Sequence, residues 1–163
     1  MALLIRPLVA ADEPFLWTAL YHAIHVPPGG AAPAPDVVRH PALARYVEGW
    51  ARRPGDGGLA AVDAGAPVGA AWLRLWTAEA PGFGFVDEAT PELSMALLPG
   101  HRGLGTGTRL LHGLLGSVRG RHPAVSLSVS LSNPARRLYE REGFAPVGGA
   151  AGGSVTMVKA LGP

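Results

Sequence analysis

Met95-Ala-Leu-Leu-Pro99-Gly-His-Arg102-Gly-Leu-Gly-Thr-Gly107 is the stretch that decides the fold. Glu92 to Leu98 reads as a strand closed by Pro99-Gly100. Gly103 to about Arg119 reads as a helix, with Leu104, Leu111, Leu115 and Val118 along one face and Leu110 and Leu114 beside it. A strand thus runs through a glycine-rich loop into a helix. Amides at a helix entrance have no internal partner, and the helix dipole is positive at that end. Glycines let an anion approach the backbone, so Gly103, Leu104, Gly105, Thr106, Gly107 and Thr108 form a site suited to a pyrophosphate. Arg102 adds positive charge. Two nucleotide motifs fail here. Gly107 is followed by Thr108-Arg109, without the lysine of a Walker loop. The dinucleotide pattern needs a glycine at position 108, and it belongs after a first strand, whereas this loop follows the fourth.

Downstream, Val125 to Leu131 alternates apolar residues with serine, as a strand does. Asn133-Pro134 opens another helix, Asn capping and Pro in the first helical position, and Gly143 ends it. Two strands follow, near Phe144–Val147 and Val155–Ala160, around a glycine-rich loop at 148–153. Upstream, residues 2–6 read as a strand stopped by Pro7. Asp12 reads as the N-cap of a helix carrying Phe15, Leu16, Leu20 and Ile24. Asp36 caps a predicted second helix through Val37, Val38, Leu43, Tyr46, Val47 and Trp50, although Pro41 sits in its first turns. Leu59–Asp63 and Val68–Trp76 form a hairpin about Ala64-Gly65-Ala66. Phe83–Val86 is read as a short extended piece within the loop 77–91. The order is β, α, α, β, β, β, α, β, α, β, β: an α/β (α+β) mixed sheet of about seven strands and four helices, with one strand–helix–strand crossover at 92–131.

The chain has 163 residues, the size of one domain, so residues 1–163 are expected to form a single unit. With 48% apolar and 16% charged residues it has enough apolar surface to fold. Net charge is +2, and the cations, all arginine except Lys159, are spread along the chain. No dense basic stripe announces nucleic acid. Without cysteine, a thiolate nucleophile, a disulfide and a zinc–thiolate site are all excluded. Met1-Ala-Leu-Leu-Ile-Arg6-Pro7 lacks the run of a signal peptide, and no apolar stretch is long enough to span a bilayer. A cytoplasmic protein that binds neither membrane nor nucleic acid is expected.

The pattern Arg-x-x-Gly-x-Gly after a strand ending in proline resembles the acetyl-coenzyme A signature of the GNAT superfamily of N-acetyltransferases. A second stretch, Asn133-Pro-Ala-Arg-Arg-Leu-Tyr139-Glu-Arg-Glu-Gly143-Phe144, resembles the other hallmark of that superfamily. One departure is the spacing: Asn133 precedes Tyr139 by six residues, where many members have seven and where Ser132 stands here. The resemblance implies a sheet splayed between its fourth and fifth strands, with acetyl-CoA in the gap. It implies that Met95, Ala96 and Leu97 pair with the amide arm, and that Arg102 to Thr108 hold the pyrophosphate. It implies that Tyr139 protonates the leaving thiolate. Asn133 either touches the pantetheine arm or caps its helix.

The implied reaction is direct attack on the thioester by a primary amine. A free amine has a pKa of about 10, so a base or a water chain is expected. Glu92 is the candidate base, with Asp87, Glu88 and His101 behind it. The acceptor, a small molecule or a peptide, is expected against the first two helices, where Tyr21, His22 and His25 stand out among Trp17, Tyr46 and Trp50. His22 and His25, three apart, would share one helical face, but no further ligands complete a metal site, so no metal is expected. Trp72 and Trp76 share a face of their strand and are expected in the core. The quaternary expectation is monomer or homodimer. The alternative reading is a non-catalytic acyl-CoA-binding sensor on the same fold.

Overall fold

Ala64 and Gly65 carry φ of 53° and 81°. A two-residue hairpin turn needs this left-handed pair, and it joins β2 (Gly57–Asp63) to β3 (Ala66–Arg74). The computed structural model describes residues 3–162. β1 (Leu4–Pro7) pairs antiparallel with β2, and Ala2, the predicted first residue of that strand, lies outside the described residues. β3 pairs antiparallel with β4 (Glu92–Leu97), β5 (Ala124–Ser130) with β7 (Ser154–Ala160), and β7 with β6 (Ala145–Ala151). Only β4 and β5 meet in parallel. The result is one seven-stranded sheet of order β1-β2-β3-β4-β5-β7-β6.

Helices cover both faces. α1 (Glu13–Ala23) and α2 (Pro41–Ala44) lie on one, α3 (Thr106–Val118) and α4 (Ala135–Arg141) on the other. Leu110, Leu111 and Leu114 of α3 are buried against Val125, Leu127 and Val129, the apolar set of β5. Leu16 and Leu20 of α1 are buried with Trp72 and Trp76, which occupy one core cluster as their parity predicts. The serines of β5 therefore face the α1 side. Among the described residues no helix is long and apolar enough to cross a membrane.

The predicted helix through 36–50 is broken. Pro35–Arg39 makes a 3-10 turn, α2 lasts four residues, and turns follow. Pro41 has no N–H, and its ring would strike the carbonyl four residues back, so a helix from Asp36 cannot pass it. His40 caps the fresh start, its Nδ1 accepting from Ala42 N–H at 3.2 Å. Gly49 and Ala51, at φ of 66° and 80°, end the segment. Its buried residues Val47 and Trp50 still reach the core, which explains the helical period in the sequence.

Asp12 also departs from expectation. It lies in a 3-10 turn, Ala10–Asp12, and does not cap α1 with its side chain. Its carboxylate reaches back to Val9 N–H at 2.8 Å and forms a bidentate pair with Arg6 at 2.8 and 2.9 Å. Such forked pairing is the stronger use of a carboxylate. The loop expected at 148–153 is mostly strand: β6 runs to Ala151, and Gly152-Gly153 alone make the turn. Phe83–Val86 is irregular, with a turn at Phe83-Gly84.

Asp56 and Arg74 hold the far end of β3. Arg74, 1% exposed, pairs with Asp56 through Nε and a terminal nitrogen, both at 3.1 Å, and donates to the carbonyls of Arg45 and Glu48. Asp56 also accepts from Ala51 and Arg53 amides. The charges and backbone groups are thus satisfied together, as a buried pair requires.

Candidate active site

Two parallel strands stay together only while their backbones exchange hydrogen bonds. β4 and β5 share a single register pair, Glu92 with Ser126, beside a bond from Ser126 N–H to the Pro91 carbonyl at 3.0 Å. Beyond that point they part. Met95, Ala96 and Leu97 lie along the unpaired stretch of β4, Met95 and Leu97 towards α3 and Ala96 towards α1.

The loop at the end of β4 turns on glycines. Gly100, Gly103 and Gly105 have φ of 89°, 75° and 82°. Nothing lies within 4 Å of where a Cβ would stand at Gly103 or Gly105, so dihedral angle and not crowding demands glycine there. α3 starts at Thr106, three residues later than predicted, because Gly103 and Gly105 are left-handed. Its first bond runs from Arg109 N–H to the Gly105 carbonyl at 3.2 Å. Among the described residues the amides of Gly103 to Thr108 donate to no protein group. A row of free donors at a positive helix end fits a diphosphate. Arg102 anchors this loop, its Nε donating to the Leu97 carbonyl at 3.2 Å and a terminal nitrogen to the His22 carbonyl at 3.3 Å.

α4 lies beside that entrance: a Cβ on Gly107 would stand 3.5 Å from the Leu138 side chain. Asn133 Oδ1 accepts from Ala135 N–H at 2.9 Å, which is the capping use of this residue. Gly143, at φ 95°, closes α4, and Phe144 N–H returns to the Tyr139 carbonyl at 3.0 Å. Tyr139 is buried, edge-on to the Phe144 ring at 5.9 Å. Burial pushes its hydroxyl up to about 12. The hydroxyl therefore keeps its proton at neutral pH, and among the described residues it makes no hydrogen bond.

Glu92 faces inward at the point where the strands part, 4% exposed. One of its oxygens accepts from Trp76 Nε1 at 2.9 Å and Gly84 N–H at 3.1 Å, and Tyr46 hydroxyl donates to the other at 2.9 Å. Burial raises its pKa, opposed by these donors. Tyr46 hydroxyl in turn accepts from Phe83 N–H at 2.8 Å. Beside Glu92, Ser126 Oγ is fully buried and finds no partner. Asp87 and Glu88 lie in the 77–91 loop, taking amides of Ala89 and Ala78, and His101 is half-buried after β4.

The expected acceptor residues are dispersed. Tyr21 hydroxyl donates to the Pro33 carbonyl at 2.7 Å. His22 lies in the last turn of α1, its pKa lowered by burial and by Arg102. His25 lies beyond the helix, which stops at Ala23, so the two histidines do not share a helical face. His25 Nε2 instead lies 3.1 Å from Ser132 Oγ, bridging the segment after α1 to the end of β5. Sequence reasoning missed the group Tyr46, Trp76, Phe83 and Gly84 around Glu92. The one local signal was Gly82-Phe83-Gly84, an aromatic between two glycines.

Parted parallel strands, with a glycine-rich helix entrance at their mouth, define an acyltransferase architecture. The acetyltransferase (GNAT) family matches residues 17–144, and the chain belongs to that family. No curated protein matches the sequence significantly. Among solved structures, the chain is similar to the ribosomal-protein-alanine N-acetyltransferase of Brucella melitensis (26% identity, TM-score 0.65, covering 97% of this chain and 99% of that one). It also resembles the ribosomal-protein-S18-alanine N-acetyltransferase of Escherichia coli (17%, TM-score 0.68, 99% and 96%). A third is a Salmonella typhimurium structure containing its cofactor acetyl-CoA (22%, TM-score 0.67, 100% and 96%).

Proposed function

We propose that this acetyltransferase transfers an acetyl group from acetyl-CoA to a primary amine by direct attack. The observation that carries the reading is the run of amides at Gly103–Thr108 that donate to no protein group among the described residues, beside the stretch of β4 that has parted from β5. On this reading those amides hold the pyrophosphate, and Met95, Ala96 and Leu97 pair with the pantetheine amides. The amine nitrogen bonds to the thioester carbonyl carbon as the carbon–sulfur bond breaks. Tyr139 gives its proton to the departing thiolate and the amine loses one to water in the gap.

Glu92 stands where a base was expected, yet its oxygens are engaged by three donors and closed from solvent. That geometry supports an anchoring role, holding the 77–91 loop against the parted strands. Asn133 serves as a helix cap. The test is an amine panel with acetyl-CoA, followed by release of the free CoA thiol. Amine-dependent release is expected; thiol release that no amine accelerates would overturn the proposal.

A further inference from the structure

Gly82-Phe83-Gly84, in the middle of the 77–91 loop, reaches both parted strands. Gly84 N–H bonds to Glu92 on β4, and a Cβ on Gly84 would stand 2.7 Å from the Leu127 carbonyl carbon and 2.9 Å from Ser128 N on β5. A Cβ on Gly82 would meet Trp76 Nε1 and a Glu92 oxygen. Neither position tolerates a side chain. Between them Phe83 has its amide fixed by Tyr46 hydroxyl and its ring stacked on Tyr46 at 6.1 Å with an interplanar angle of 12°. Yet Phe83 is 62% exposed. A large apolar side chain held this firmly, and left in water, is poised to contact something.

The face is decided by strand parity. Glu92 and Ser126 point to the α1 side of the sheet, while Leu93, Val125 and Leu127 point to α3. The free amides and Tyr139 belong to the α3 side. Phe83 thus flanks the vertex of the gap on the side opposite the acetyl donor, where an attacking amine must enter. The carboxylate at the vertex itself, Glu92, is sealed beneath the loop.

We propose that Phe83 is the specificity-determining residue of the acceptor site, and that the acceptor is a primary amine whose carbon skeleton next to the amino group is apolar and packs on the Phe83 ring. This rests on the acetyltransferase reading above. The test measures acetylation of hexylamine and 2-phenylethylamine against ethanolamine, by wild type, Phe83→Ala and Phe83→Leu. Because the ring is exposed, both variants are expected to melt with wild type. Phe83→Ala should raise KM for the two apolar amines on the order of tenfold, from loss of roughly one buried ring face. KM for ethanolamine and for acetyl-CoA should move less than about twofold, and Phe83→Leu should recover part of the loss. Equal losses for all three amines, or a shift in KM for acetyl-CoA, overturns the assignment of Phe83. Wild type that turns over no amine overturns the underlying reading instead.

Discussion

Glu92 and Ser126 are the sole register partners joining β4 to β5, and both side chains are buried on the α1 side of the sheet. One carries a carboxylate with three donors, the other a hydroxyl with none. The vertex of the gap is therefore a polar point inside an apolar sheet, and its composition sets what can be altered there.

Glu92→Gln and Glu92→Ala separate anchoring from proton transfer. Glutamine keeps an oxygen for Trp76 and Gly84 and offers its amide to Tyr46, so the loop should hold and turnover should stay within about threefold of wild type. Alanine leaves buried donors unmatched and should cost about 3 kcal/mol in a denaturant titration, with KM for the amine rising. If Glu92 were the base, both variants would lose turnover alike.

The same carboxyl gives a pH signature. Its folded-state pKa is raised above 4.5, so the folded chain holds the proton longer than the unfolded one. Its contribution to stability is fully present below 4.5 and declines as pH rises through the folded value. Melting temperature followed upward from pH 4.5 should decline more steeply in wild type than in Glu92→Gln. Identical slopes would show that the carboxyl does not titrate in this way.

Tyr139→Phe should lower kcat about a hundredfold or more, the scale of a lost general acid. The hydroxyl makes no hydrogen bond within the described residues, so melting temperature and CoA affinity by calorimetry should be unchanged. Retained turnover would remove Tyr139 from the mechanism.

Gly105→Ala tests the entrance of α3. The site has room for a methyl, but φ of 82° costs an L-residue about 1 kcal/mol. To relieve that strain the loop must rotate its amides, so CoA affinity should weaken while the sheet stays intact by circular dichroism. Unaltered affinity would place the pyrophosphate elsewhere.

Much of this was legible in the sequence because it is local. The Gly-rich loop, the leucine face of α3, the hairpin at Ala64-Gly65 and the serine alternation of β5 each lie within one element. What escaped was of two kinds. Pro41 outweighed the helical period of 36–50, and Asp12 chose Arg6 over the helix it precedes, both cases of competing local bonds. The Glu92 group escaped for another reason. Tyr46 and Trp76 come from 46 and 16 residues away, and no spacing rule links residues that only the packed sheet brings together.

Separate approaches for donor and acceptor, as proposed above, have a kinetic consequence. If acetyl-CoA and the amine enter from opposite sides of the sheet and the amine attacks directly, the acetyl group does not reside on the protein between donor and acceptor. Double-reciprocal plots at several fixed amine concentrations should then converge; parallel lines would mean that the donor leaves before the acceptor arrives.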